Sequence, residues 1–358
     1  MVRSGPSGSQ AAVAAVSNML CAHRLHVPIL PSPTAHPWSP TVELDFRRKR
    51  RKKGNGVVKR FERLERIRRL DPVADAVEIY RLSAAFEFPW DYTRALELAL
   101  YRTYAVPSIG RLLAETGELT ERTQKRYDDT ALLLDTIVEH GFAAEEGRTA
   151  IRRINQMHGS YDIGDDDMRY VLSTFVVVPR RWIDAYGWRR LSRHEIVAAT
   201  EYYRTLGRHM GIPGIPATYE EFEALLDSYE RDHFGWDERA RQVSDATLEL
   251  MTSWYPRPLA PVLRTATLAL LDEPLLRTFR YPPPGAATTA LVRRAVRTRG
   301  RLVRLLPPRS APHFARQNRE IKGYPNGYRV AGLGTRPTPG LRGCPVRHRD
   351  VSAIDAAD

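Results

Sequence analysis

Between residues 58 and 306 the apolar residues recur at three- and four-residue steps, and no two segments read as partnered strands. The pattern predicts helices over 57–70, from Pro72 through Leu82, over 94–104 and over 109–115. An aromatic turn, FEFPWD, separates the second from the third. Thr120 is the expected N-cap of a helix that runs to His140 and stops at Gly141. A helix over 145–158 follows. The run MRYVLSTFVVV, 168–178, is β-branched enough for a strand, but it lacks a strand partner and is read as a buried helix ending at Pro179. Ser192-Arg193-His194-Glu195 is a capping box that opens a helix to Met210. Thr218-Tyr219-Glu220-Glu221 is a second box, with its helix reaching about Asp232. Further helices are expected over 237–255, 263–271 and 287–306. The predicted class is all-α, one helical domain over 58–306. An extended, basic, Pro/Ser/Gly-rich segment (1–57) precedes it and a loop-rich tail (307–358) follows.

Two adjacent helices carry polar residues on stripes that should face the core. Arg126 and Thr130 share a face with Leu133, Leu134 and Ile137, and His158 shares one with Ile151 and Ile154. Such residues are costly inside a fold unless something pairs with them. By pattern alone, a core histidine satisfied by a carbonyl is the plainer account of His158. The other is an imidazole ligand to a buried iron, with Arg126 as the cation for haem propionates.

Charge narrows the field. The net charge is +13, and seven consecutive basic residues from Arg47 to Lys53 supply more than half of it. The rest is too mild for a fold-wide nucleic-acid surface, so no specific nucleic acid is expected. The run itself reads as a solvated tail or, second, as a peripheral contact with an anionic membrane. Cys21 and Cys344 form neither a disulfide framework nor a metal site, which makes a reducing, cytoplasmic setting the expectation. No apolar run reaches spanning length; 11–22 comes nearest and is broken by Ser17 and Asn18. Hydrolase signatures, a phosphate loop and the paired Glu-x-x-His of a di-iron bundle are all missing. Asp165 to Asp167 read as an acidic helix start rather than a cation site.

Six segments carry a resemblance: FPWDYTRALELAL (88–100), QKRYDDT (124–130), RRINQMHGSYDI (152–163), DMRYVLSTFVVVPRRWIDAYGWR (167–189), YYRTLGRHMGIPGIPATYEEFEALLDSYERDHF (202–234) and NGYRVAGLGT (326–335). Together they resemble the MpaB-type oxygenases, which share a catalytic domain with the rubber oxygenases, or latex-clearing proteins. The resemblance implies a globin-like helical domain around haem b, and O₂-dependent oxidation of an unsaturated, lipophilic substrate of prenyl or isoprenoid type, with oxidative C=C cleavage as the family reaction. The family's haem motif is an arginine, a threonine four residues on, and an axial histidine roughly eight to nine helical turns further along. Carried over, His158 ligates iron, Arg126 holds a propionate and Thr130 lines the pocket. Where rubber oxygenases have a lysine that can close the distal iron position, this chain has Asp129. Their upstream glutamate base maps near Gly110, with Glu115 and Glu118 the nearest carboxylates, so the catalytic base is not assigned. A non-catalytic haem- or lipid-binding protein of the same fold is the alternative.

Overall fold

Hydrogen bonds from residue i to i−4 organise nearly everything between Glu62 and Leu305. The computed structural model describes residues 59–318 and 320–335, and among them there are helices and turns but no strand. The expectations on the basic run from Arg47 to Lys53, on Cys21 and Cys344 and on 11–22 lie outside the described residues.

In chain order the helices are α1 (Glu62–Arg69), α2 (Ala76–Arg81), α3 (Pro89–Tyr104), α4 (Pro107–Glu115), α5 (Thr123–His140), α6 (Glu145–His158), α7 (Asp165–Tyr186), α8 (Arg193–His209), α9 (Tyr219–His233), α10 (Glu238–Ser253), α11 (Ala260–Leu270), α12 (Glu273–Thr278) and α13 (Ala286–Leu305). The ambiguous run 168–178 is helical, inside α7. That helix continues through Pro179, although a proline removes one backbone hydrogen bond and costs about 3 kcal/mol in a helix interior. Val176 and Val177 before it and Trp182 and Ile183 after it are all buried, so core packing holds the helix together across the break.

Some predicted ends move. Thr120 does not cap α5: the helix starts at Thr123 after Arg122, and the Thr120 hydroxyl donates to the Gly117 carbonyl at 3.2 Å, closing a separate turn. Asp71 rather than Pro72 organises the start of α2, accepting from the backbone N–H groups of Val73 and Ala74, both at 2.8 Å. The expected aromatic turn begins as a π-helical stretch, Leu82–Glu87, and α3 then opens on Pro89. The Ser192 capping box forms in full; at Thr218 only the hydroxyl caps, while Glu221 reaches past it to the Ala217 N–H at 2.6 Å.

α3 and α7 form the centre, with α9 and α8 against α7, α2 on α8, and the α5–α6 hairpin alongside. The main apolar core gathers Phe88, Trp90, Ile137, Ile154, Met157, Tyr170, Val177 and Tyr202. A second cluster, with Tyr101, Tyr104, Leu248 and Phe279, lies between α3, α10 and α12. Leu98 and Leu113 pack on both clusters. No helix among the described residues is long and apolar enough to cross a membrane.

Candidate functional site

The α5–α6 hairpin turns at Gly141, which adopts φ +78°, a conformation glycine reaches without strain. Arg126 and His158 lie sixteen residues to either side of Phe142, so the antiparallel hairpin sets them at the same level near its open end. After burial, the Arg126 charge is the second reason the His158 pKa is depressed, since it disfavours a proton on the ring. Arg126 also acts on Tyr104 of α3. His158 shares α6 with Ile154 and Met157 of the main core, while Tyr104 belongs to the second cluster. Arg126 thus acts electrostatically both on His158, beside residues of the main cluster, and on Tyr104 of the second.

His158 is not a satisfied core histidine. Its Nδ1 is buried without a hydrogen-bond partner. Burial first, and then Arg126, push its pKa down to about 4, so the ring is neutral at physiological pH with a lone pair to offer. Arg126 donates from Nη1 to the Thr130 hydroxyl, which in turn donates to the Arg126 carbonyl at 3.1 Å. Among the described residues Arg126 has no carboxylate partner, so its charge is available to an anionic group. A neutral unpartnered imidazole, an uncompensated cation and apolar surroundings are the donor set a haem with its propionates requires.

Asp129, beside Thr130, is fully buried. It accepts from Lys125 Nζ at 2.9 Å, from the Tyr324 hydroxyl and from the Gly334 N–H at 2.8 Å. On α6, Arg153 donates to the carbonyls of Leu333, at 2.5 Å, and Thr335. Residues 321–335 thus form a strap that ties α5 to α6 beneath the site.

Of the two carboxylates nearest the expected base position, Glu115 is exposed and paired with Arg239 at 2.9 Å. Glu118 is buried and paired with Arg122, with Oε2 unpartnered. Sequence reasoning missed a third. Glu97 of α3 is buried, accepts from Arg94 at 2.5 Å and from the Tyr127 hydroxyl at 2.8 Å, and has its pKa raised by desolvation. Arg94 and Glu97, three apart on a strongly apolar helix, were the available signal. They line a small cavity of about 30 Å³ with Leu98, Trp182, Met251 and Tyr255, and the Arg94 Nε is buried there without a partner. A second, smaller cavity lies between Tyr92, Phe175 and Tyr219. Neither is lined by His158, Arg126 or Thr130. Arg94, Glu97, Leu98, Tyr101 and Tyr104 do follow one face of α3, so the residues of the first cavity stand about 9 to 15 Å along the helix from Tyr104. No group of three or more His, Cys, Asp or Glu among the described residues could hold a metal ion.

Residues 93–301 match the family described as ER-bound oxygenase mpaB/B'/rubber oxygenase, catalytic domain. Among similar proteins, the ER-bound oxygenase mpaB' of Penicillium brevicompactum is 29% identical over 256 residues, which is 66% of this chain and 60% of that protein. The ER-bound oxygenase mpaB of Penicillium roqueforti (strain FM164) is 29% identical over 225 residues, 58% of this chain and 76% of the relative. The mpaB of P. brevicompactum is 30% identical over 232 residues, 60% of this chain and 59% of its own. The chain thus spans about 60% of the length of the mpaB' it matches. The matched region holds Arg126, Thr130, His158 and the Glu97 cavity and takes in more than half of the sequence, and on that ground the chain belongs to the MpaB/rubber oxygenase catalytic-domain family.

Proposed function

We propose that this chain is a haem b-dependent oxygenase that uses O₂ to attack an unsaturated, lipophilic substrate of prenyl or isoprenoid type, with C=C cleavage as the favoured outcome. The observation that carries the reading is His158 Nδ1, buried and unpartnered, on a ring kept neutral by desolvation and by the charge of Arg126. A haem iron needs only one protein ligand, so a single imidazole suffices. His158 would hold the iron, Arg126 would pair with a propionate, and Thr130 would fix the Arg126 guanidinium through the hydrogen bond already made. When bound, the haem supplies O₂ binding and activation at iron. The two apolar clusters, bridged by Leu98 and Leu113, would keep water from that centre. The cavity along the same face of α3 offers a site for part of an apolar substrate, with Arg94 Nε donating to an acceptor oxygen on it. Glu97 is the carboxyl that would face such a ligand, and its raised pKa suits it to take up a proton. The names of its relatives also support placing this chain at a membrane surface.

The absorption spectrum of the purified protein is the test. A Soret band is expected, lost in His158→Ala while the helical circular dichroism is kept. A colourless protein that takes up no added haemin sinks the reading. Oxygen uptake with a panel of prenylated and polyunsaturated compounds tests turnover; haem binding without uptake across the panel would favour a non-catalytic binding protein instead.

A further inference from the structure

Large apolar side chains are rarely left exposed side by side on a soluble protein unless something covers them. The described residues contain six exposed ones, and four of these, Phe61, Leu302, Leu305 and Leu306, belong to one corner. Leu302 lies three and four residues before Leu305 and Leu306, so the three share a face at the end of α13. Leu305 is 81% exposed. Phe61 joins them through Arg304, whose guanidinium sits 6.0 Å from the Phe61 ring, and Phe61 itself rests on Trp188. This corner is held firmly. Gly300 packs so closely on the carbonyls of Tyr186 and Gly187 that a side chain there would collide with them. The leucines are therefore presented outward by a fixed helix.

On the Phe61 side the first turn of α1 carries exposed Glu62 and Glu65, whereas the charge along α13 has one sign. α13 has six arginines and no acidic residue. Arg299 is paired with Asp91 at 3.1 Å, and Arg293 is spent on the carbonyls of Ala269 and Leu271. Among the described residues Arg294, Arg297, Arg301 and Arg304 have no carboxylate partner, and all four are exposed. An apolar tip on a helix that carries four arginines without carboxylate partners matches the boundary of an anionic bilayer, where leucine and phenylalanine enter the acyl region and arginines meet phosphate and carboxylate headgroups.

We propose that the end of α13 together with Phe61 is a docking surface for an anionic lipid bilayer. This deepens the membrane part of the proposed function by naming the surface, and is independent of the haem. Nucleic acid would use the arginines but not the exposed leucines. The test is flotation of the full chain with phosphatidylcholine vesicles, with or without 30% phosphatidylserine. Binding is expected to the phosphatidylserine vesicles, weakened by 0.5 M salt, and at least tenfold lower in the L302E/L305E and R301E/R304E variants, with unchanged thermal melting. Binding that survives both variants but disappears when Arg47 to Lys53 are replaced by glutamine overturns this surface and leaves the membrane reading standing. No binding to either vesicle overturns both. A chain that is dimeric in solution, becomes monomeric in L302E/L305E and ignores vesicles shows that the corner is covered by a second copy, which also overturns the proposal.

Discussion

The backbone N–H of Gly334 donates to Oδ1 of Asp129 at 2.8 Å, joining positions 205 apart in the chain. Asp129 is fully buried, and Lys125 and Tyr324 donate to it as well. Removing its carboxylate strands one buried donor, the Gly334 N–H, and two partly buried ones, the Tyr324 hydroxyl and the Lys125 ammonium. Asp129→Ala is therefore expected to lose about 3 kcal/mol of stability. Urea unfolding measures this directly, and a loss below about 1 kcal/mol would show that the strap contributes little.

Gly334 has φ +79°, and a β-carbon there would land on the Met157 sulfur. Gly334→Ala adds backbone strain to a steric clash one residue from His158. The expected cost is about 2 kcal/mol. Adding Met157→Ala to that variant should relieve the clash but not the strain. A pair of substitutions whose effects simply add would contradict this contact.

His158 makes stability depend on pH. Its pKa is about 4 in the folded chain against an ordinary imidazole value of 6.5. Above pH 6.5 neither state is protonated there and stability is full. As pH falls from 6.5 towards 4 the unfolded chain takes a proton that the folded one refuses, and stability drops by an amount on the order of 3 kcal/mol. Asp135 works in the opposite sense: burial raises its pKa from 3.8 to about 6, so over that interval the folded state holds the extra proton and gains stability as pH falls. The histidine is isolated by comparison. The stability difference between wild type and His158→Ala, read by urea unfolding at pH 7 and pH 4.5, should shrink at the lower pH. A difference independent of pH would mean that His158 titrates normally.

Arg126 lowers the His158 pKa, so Arg126→Ala should raise it towards the ordinary imidazole value while burial keeps it depressed. Proton NMR of the imidazole ring in the haem-free protein follows that midpoint. The same variant should release haemin roughly tenfold faster, the loss expected for one charge-assisted contact of about 1.4 kcal/mol. A midpoint unmoved by the substitution would separate the two residues.

Much of the helical framework was legible in residue order, because its hydrogen bonds connect residues four apart. Apolar spacing located α5 and α6, Gly141 marked their turn, and Ser192 with Glu195 marked the start of α8. The shared hairpin even places Arg126 level with His158, since equal distances from a turn imply equal height in antiparallel helices. Local pattern failed where long-range packing competes with it: α7 crosses Pro179 because both flanks are buried, and α5 begins three residues after its expected cap. Tertiary structure alone decided that His158 Nδ1 goes without a carbonyl, that Glu97 meets Tyr127 beside a cavity, and that Asp129 anchors a strap from the far end of the described chain. The physical reason is that burial and partnership are set by atoms distant in sequence. The periodicity of a helix states which face turns inward, and only the packed fold states what it meets there.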